Sequence, residues 1–230
     1  MAETEKIQKV IARSGLCSRR KAEGRIALGK VRVNGKTAII GQRVRDIDEV
    51  TVEGKLLVNE KFEYYILNKP VDVMCTRADK HAGKIVVELI PTKARIFPVG
   101  RLDQKTTGLI ILTNDGELAQ KIIHPSSGLG KKYLAQVAGM NDKKVNALRK
   151  TKMVDGKKIM APGVKSLAGN SLEVTVHEGI NRQVRKMCEQ AGMRVISLHR
   201  QSIGKLELKG LKQGEWKKTT KEALMREIGL

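Results

Sequence analysis

The 230-residue chain is short of aromatic side chains, which make up only 3% of its residues. There are six of them: Phe62, Tyr64, Tyr65, Phe97, Tyr133 and Trp216. Surfaces that stack several bases of single-stranded RNA need clustered aromatics, and this chain cannot build many. If the partner is a nucleic acid, we therefore expect recognition by shape and phosphates, with a single aromatic in any base pocket.

The chain also lacks the cysteine and histidine spacing of a metal site or a disulfide framework. Its three cysteines lie far apart with no CxxC pair: Cys17, Cys75 and Cys188. Its four histidines are equally scattered: His81, His124, His177 and His199. We expect no metal, and we interpret each cysteine as a small buried apolar residue.

No apolar run approaches the length of a membrane span. The first six residues are polar and have no signal-peptide core, so we expect a cytoplasmic protein. The length predicts one large or two small domains, and an apolar content of 40% is enough for a real core.

Acidic residues are few compared with basic ones. Forty-five Lys and Arg oppose 24 Asp and Glu, which gives a formal net charge of +21. A charge of this size attracts phosphates whatever their sequence, and solubility alone does not require it. A nucleic acid is the favoured partner. A membrane surface is the weaker alternative, because no basic amphipathic helix with aromatic anchors is visible.

Residues 5–58 predict a compact first unit with two helices followed by a small antiparallel sheet. Ser18 is a candidate N-cap for the second helix, and Gly15 and Gly29 are placed to end the two helices. Asn34-Gly35, after an alternating apolar and basic stretch, is a strong hairpin signal.

Residues 6–36 hold ten basic residues and one acid, Glu23, a net charge of +9. A solvated helix face usually mixes both signs, so this stretch is interpreted as an RNA-binding surface. The candidate RNA contacts in it are Arg13, Arg19, Arg20, Lys21, Arg25, Lys30 and Arg32.

A polar stretch at 59–63 is the candidate linker, which divides the chain into domains 1–60 and 61–230. In the second domain the patterns predict strands at 64–68, 109–113, 132–137, 171–176, 195–198 and 205–208. Helices are predicted at 117–123, 143–150, 182–191 and 221–228, with a short helix or turn at 85–90. Many short strands without a regular βαβ alternation indicate an α+β fold with a mixed, mainly antiparallel sheet flanked by helices.

The segment 100–109, GRLDQKTTGL, sets one carboxylate, Asp103, beside an arginine in a turn-forming stretch ahead of a buried apolar run. Two interpretations compete. Asp is common in turns and at helix N-caps, where it has no chemical role. A single acid in a cationic, polyanion-binding surface also suits a nucleophile that acts on a nucleic acid.

Two resemblances decide between these interpretations. Segments 15–23 (GLCSRRKAE) and 29–35 (GKVRVNG) resemble the S4-type RNA-binding domain. The Asp103 segment, Lys132-Tyr133 and residues 178–187 (EGINRQVRKM) resemble three motifs of ribosomal RNA pseudouridine synthases of the RsuA/RluB type. The two matches cover nearly the whole chain in the order of that family. The resemblance implies a small S4-like domain followed by a larger catalytic domain.

The chain departs from the family pattern in two segments. Asp72 stands where the family usually has a glycine after Lys69-Pro70, so we expect the loop backbone to differ. The segment 125–130 replaces a more usual arginine-aromatic pair, which affects target choice. Lys69 itself is predicted either to line the pocket or to lie on the surface.

The resemblance implies the conversion of uridine to pseudouridine, a reaction that needs no metal and no cofactor. Asp103 is then the nucleophile or base, and it has to be ionised. The resemblance makes Arg185 the guanidinium within salt-bridge reach that favours this ionised form. Tyr133 is the family tyrosine that stacks on the uracil and helps to remove the C5 proton. Arg101 either fills the space left by a base flipped out of the RNA or contacts a phosphate.

Further roles and alternatives stay open. Lys132 and Arg182 are additional candidate RNA contacts, and Thr106 to Gly108 are expected to shape the catalytic loop. The partner implied is ribosomal RNA or a pre-ribosomal particle, with the large subunit favoured and the small subunit open, and the expected state is a monomer. The alternatives are a non-catalytic RNA-binding ribosome-assembly factor and, more distantly, a glycosidase-like hydrolase. The hydrolase would need a second catalytic acid, and none stands in a comparable motif.

Overall fold

The computed structural model describes residues 4–76 and 83–230, which form two compact units. The first unit holds the chain up to Phe62 together with two short segments, Thr92–Arg95 and Asn114–Gly116. The second unit holds the remainder. None of the helices in the described residues is long and apolar enough to cross a membrane.

From residue 4 onward, the first unit has two helices, α1 (Ile7–Arg13) and α2 (Arg19–Ala27), and six short strands. The strands are β1 (Thr4–Lys6), β2 (Val31–Val33), β3 (Lys36–Thr37), β4 (Arg43–Arg45), β5 (Val50–Val52) and β6 (Lys55–Leu56). Four of them form a sheet in the order β3-β2-β5-β6, and β1 pairs with β4. The apolar residues of both helices and of β2, β4 and β5 make one core.

The local signals of this unit are confirmed. The Ser18 side chain accepts a hydrogen bond from the Lys21 backbone N–H, which caps α2. Asn34 and Gly35 both have positive φ angles, 48° and 78°, as a tight hairpin turn between β2 and β3 requires. The predicted order of two helices and a small antiparallel sheet is therefore correct.

The second unit adds eleven strands and four helices within the residues that the structure describes. The strands are β7 (Tyr64–Lys69), β8 (Phe97–Pro98), β9 (Thr106–Thr113), β10 (Lys131–Ala138), β11 (Met153–Val154), β12 (Lys157–Lys158), β13 (Gly163–Leu167), β14 (Ser171–Val176), β15 (Arg194–Ile203), β16 (Leu206–Glu207) and β17 (Trp216–Thr219). The helices are α3 (Gly116–Ile123), α4 (Asp142–Arg149), α5 (Gln183–Gln190) and α6 (Lys221–Ile228), with short 3₁₀ turns at Val86–Leu89 and Pro125–Ser127.

Nine of these strands form one sheet in the order β13-β14-β10-β15-β9-β7-β17, with β16 beside β15 and β8 beside β9. Strands β9 and β15 run parallel, and the other neighbouring strands of the sheet run antiparallel. The predicted α+β class with a mixed, mainly antiparallel sheet is confirmed.

The core of the second unit lies against this sheet in two clusters. One packs α4 and α5 on β10, β14 and β15, and the other packs α3 and α6 on β7, β9 and β16. Residues 109–112 are completely buried, as expected for the central strand β9. The sheet thus holds the Asp103 loop, which directly precedes β9, against a rigid element.

Gly108 allows β9 and β15 to approach each other closely. Its φ is 109°, and a Cβ atom there would lie 2.3 Å from the Arg200 carbonyl oxygen. We expect Gly108→Ala to lower the free energy of unfolding by about 3 kcal/mol, because the strained backbone and the separated strands both cost energy. Urea unfolding measures this loss.

The matched control is Gly116→Ala at the start of α3, where an added Cβ would meet nothing within 4 Å. The free energy of unfolding of this variant is expected to lie within about 1 kcal/mol of the native value. Equal stability of the two variants would contradict the close approach of β9 and β15.

Candidate active site

A cavity of about 260 Å³ lies in the second unit, next to the start of β9. Its walls come from the loop before β9, from β10 and β15, and from the segment between β14 and α5. Four residues predicted from the sequence line it together: Arg101, Asp103, Tyr133 and Arg182. Tertiary structure thus brings an acid, an aromatic ring and two cations from distant parts of the chain to one concave site.

Asp103 lies in a turn and also faces the cavity. The loop leaves Gly100 with a φ of 75°, and the Thr106 N–H donates to the Asp103 carbonyl oxygen at 2.9 Å, which closes the turn into β9. The side chain is half-buried in the cavity wall. The turn interpretation and the chemical interpretation of this residue are therefore compatible.

Lys69 is a buried lysine that holds the Asp103 loop through the Gln104 carbonyl oxygen. It is fully buried in β7, and its ammonium donates to the carbonyl oxygens of Pro70 (2.9 Å), Val73 (2.8 Å) and Gln104 (3.2 Å). Burial lowers the pKa of Lys69, and the charge of Asp103 acts in the opposite direction. Lys69 was predicted to line the pocket or to lie on the surface, and both predictions are wrong, since the side chain is buried away from the cavity. Burial is possible because three carbonyl dipoles compensate the charge.

Asp72 contacts the same loop through its backbone and its carboxylate. Its φ is 62°, a left-handed conformation that glycine favours and that Asp adopts more readily than most residues. Its backbone N–H donates to the Gln104 carbonyl at 3.0 Å, and its carboxylate lies 2.8 Å from the Lys105 ammonium. Asp72 therefore adopts a backbone conformation that the glycine usual at this position could also adopt.

Arg185 is buried at the start of α5 and holds backbone rather than the Asp103 carboxylate. Its guanidinium donates to the carbonyl oxygens of Lys105 (3.2 Å) and Val195 (3.4 Å). Within residues 4–76 and 83–230 no direct ion pair joins it to Asp103, so the expected salt bridge is not formed. Burial lowers the pKa of Arg185, while the charge of Asp103 raises it, so the two groups attract each other at longer range.

Tyr133 and Arg200 are neighbours across two strands of the cavity wall. A bulge in β15 at Gln201, opposite the Lys132–Tyr133 step of β10, aligns Tyr133 with Arg200. Arg200 is buried, and its Nε donates to the Leu109 carbonyl at 2.7 Å, while its Nη2 has no hydrogen-bond partner among the described residues. Sequence reasoning missed Arg200, although an arginine on the buried face of an alternating strand was a usable signal.

A second acid, Glu178, also lines the cavity. Its two carboxylate oxygens accept hydrogen bonds from the Met160 N–H (2.6 Å) and from the Gln183 side chain (2.7 Å). Partial burial would raise the pKa of Glu178, but these hydrogen bonds lower it overall. Sequence reasoning missed this acid in the cavity. Its oxygens already have donors, which makes it an anchor for Gln183.

The remaining predicted RNA contacts are dispersed. Lys132 lies on β10, 3.7 Å from Glu173, and does not line the cavity. Arg182, at the cavity rim, is exposed and has a left-handed backbone before α5. In the first unit, Arg32 is exposed on β2. Three further basic residues are exposed at the start of α2: Arg19, Arg20 and Lys21.

Other basic residues of the first unit are engaged by acids. Arg13 lies 2.6 Å from Glu5, and Arg25 and Lys30 share Glu53 at 3.7 Å and 3.1 Å. These three contribute less free positive charge than the exposed group on α2.

The described residues contain no group of three or more His, Cys, Asp or Glu side chains that could hold a metal ion. His81 lies outside these residues.

Comparison with known proteins identifies the class. A sequence model described as RNA pseudouridylate synthase matches residues 63–190, and an S4 domain model matches residues 5–50. The ribosomal large subunit pseudouridine synthase B of Bacillus subtilis is 39% identical, over 96% of this chain and 95% of its own. The dual-specificity RNA pseudouridine synthase RluF of Escherichia coli K12 is 36% identical, over 96% of this chain and 77% of its own.

A solved structure titled pseudouridylate synthase shares the fold, with a TM-score of 0.69 at 26% identity, over 97% of this chain and 99% of the other. The fold is thus that of an RNA-modifying isomerase. The chain belongs to the RNA pseudouridine synthase family and carries an S4 domain ahead of its catalytic domain.

Proposed function

We propose that this protein converts a specific uridine of large-subunit ribosomal RNA to pseudouridine, with Asp103 as the catalytic carboxylate. The observation that carries the proposal is the half-buried Asp103 in a cavity that Tyr133, Arg101 and Arg182 also line. The large-subunit target is supported by the relative named for that activity, which matches this chain over nearly its whole length.

The reaction is a rearrangement with no net loss of atoms. The N1–C1′ bond of uridine breaks, the ring turns, and C5 bonds to C1′, while C5 releases a proton and N1 gains one. The Asp103 carboxylate can attack C1′, attack uracil C6, or remove a sugar proton, and a single carboxylate could serve any of the three schemes. Arg185 holds the Lys105 carbonyl oxygen, two residues after Asp103, and so helps to fix the loop that carries the carboxylate.

Tyr133 is proposed to stack on the flipped uracil and to assist removal of the C5 proton. Arg101 is exposed on the cavity rim two residues before Asp103, where it can fill the gap in the RNA or contact a phosphate. Residues 1–60 are proposed as the domain that docks on folded RNA, through Arg19, Arg20, Lys21 and Arg32, and residues 61–230 as the catalytic domain.

The protein is proposed to act as a monomer in the cytoplasm. The cytoplasmic location is supported by the relatives compared above, which are RNA pseudouridine synthases of bacteria.

Pseudouridine mapping of ribosomal RNA from cells with and without this gene tests the target. We expect a large-subunit position to lose its pseudouridine in cells without the gene, and the purified full chain to restore it on an unmodified transcript. An unchanged map of large-subunit RNA, or a loss confined to small-subunit RNA, would contradict the proposed target.

A further inference from the structure

The catalytic unit contains a small lysine-rich hairpin, and the reaction scheme above assigns no role to it. Residues 150–160, called the lysine hairpin here, contain strands β11 and β12, which pair Met153 with Lys158 and Val154 with Lys157. The turn residues Asp155 and Gly156 have φ angles of 50° and 72°, which suits a tight two-residue turn. The segment is therefore a defined element rather than an irregular loop.

The lysine hairpin is anchored in the core. Val154 and Ile159 are buried in the cluster that packs α4 and α5 on the sheet. A hydrogen bond ties it to the cavity wall, since the Met160 N–H donates to Glu178, and an ion pair between Asp155 and Lys186 ties it to α5. The hairpin is thus held in a set position beside the cavity rim.

Its exposed face is cationic. Four lysines of the hairpin are exposed: Lys150, Lys152, Lys157 and Lys158. Across residues 4–76 and 83–230, none of their ammonium groups has an acidic partner, and the one acid of the hairpin, Asp155, is neutralised by Lys186. Two methionines stand among these charges, Met153 with 54% and Met160 with 60% of its surface exposed.

We propose that the lysine hairpin binds the RNA strand next to the uridine that enters the cavity, with its lysines on phosphates and its methionines against bases or ribose. This inference rests on the proposed function, because the cavity defines where the strand must pass. Unpaired lysines fit a phosphate backbone, and flexible methionine side chains adapt to irregular apolar surfaces. A membrane partner is less suitable, since the hairpin has no aromatic anchor or broad apolar face.

The variant Lys157→Gln/Lys158→Gln removes two charges from one strand of the hairpin. We expect its KM for an unmodified large-subunit RNA transcript to rise about tenfold while kcat stays unchanged. We also expect the slope of log K against log salt concentration to fall by about 1.4, about 0.7 for each phosphate contact on a single strand. Filter binding in a salt series and steady-state rates measure these effects.

The control Lys209→Gln/Lys212→Gln removes two exposed lysines from a segment that contributes nothing to the cavity wall. It is expected to keep the native KM and nearly the native salt slope. Equal effects of the two double variants, or no effect of the hairpin variant, would overturn the inference.

A direct reading uses acetylation of lysines in the native protein with and without the transcript, followed by mass spectrometry. Bound RNA should protect Lys157 and Lys158 but not Lys209 and Lys212. Unprotected hairpin lysines on a bound transcript would overturn the inference. Binding and protection do not depend on turnover, so a native protein that binds the transcript without forming pseudouridine would contradict the proposed function alone.

Discussion

Asp103→Asn is expected to lower pseudouridine formation by about 10⁴-fold or more, because the amide can neither attack carbon nor remove a proton as the carboxylate does. RNA binding should remain, because the asparagine keeps the size of the side chain and the loop is held by backbone hydrogen bonds. The Thr106 N–H still closes the turn on residue 103, and Lys69 and Asp72 still hold the Gln104 carbonyl. The variant should therefore separate chemistry from recognition.

Release of tritium from RNA that carries C5-labelled uridine measures this loss, and filter binding measures retained affinity. Asp72→Asn is the matched control, since this acid contacts the same loop but does not line the cavity, and asparagine tolerates its left-handed backbone. We expect its turnover to stay within about threefold of that of the native protein, because only one exposed ion pair is lost. Substantial turnover by Asp103→Asn would remove this acid from the mechanism.

Lys69→Met is expected to have the second largest effect, on stability and on rate. The substitution leaves the carbonyl oxygens of Pro70, Val73 and Gln104 without their buried donor. Each unsatisfied carbonyl costs about 1–3 kcal/mol, and the Asp72 N–H still serves Gln104, so we expect a total loss of about 3–5 kcal/mol. The rate of the molecules that remain folded should fall on the order of 10²-fold, because Asp103 adjoins Gln104, whose carbonyl loses one of its two donors.

Urea unfolding measures the loss of stability, and rates at a temperature where the variant is folded measure the loss of positioning. Lys105→Met is the control, because this lysine belongs to the same loop but its side chain is 70% exposed. The free energy of unfolding of Lys105→Met should lie within about 1 kcal/mol of the native value. A Lys69→Met protein as stable as the control would show that the carbonyl contacts contribute little. A Lys69→Met protein that is less stable but as active as the native protein would show that Lys69 does not position Asp103.

Local signals were sufficient for much of the fold. The N-cap at Ser18, the Asn34-Gly35 turn and the apolar run at 109–112 each depend on residues close together in the chain, and the structure has all three features. Strand β15 was predicted only for 195–198 but continues to Ile203, because pairing with β10 and β16 extends it beyond its own pattern. Strand β13 was missed, since it is mostly exposed and depends on pairing with β14.

The sequence by itself determined the fold class, the strongly basic surface, and the grouping of Asp103, Tyr133 and Arg185 as site candidates through motif resemblance. Only the tertiary structure decided that Lys69 is buried beneath the Asp103 loop and that Arg200 and Glu178 join the cavity wall. It also directed Arg185 to backbone carbonyls rather than to a salt bridge. Sequence patterns report neighbours along the chain, whereas Lys69 and Gln104 are 35 residues apart, and Arg200 and Leu109 are 91 apart. A buried charge is stabilised by whichever dipoles packing brings to it, and those partners exist only after the strands have paired.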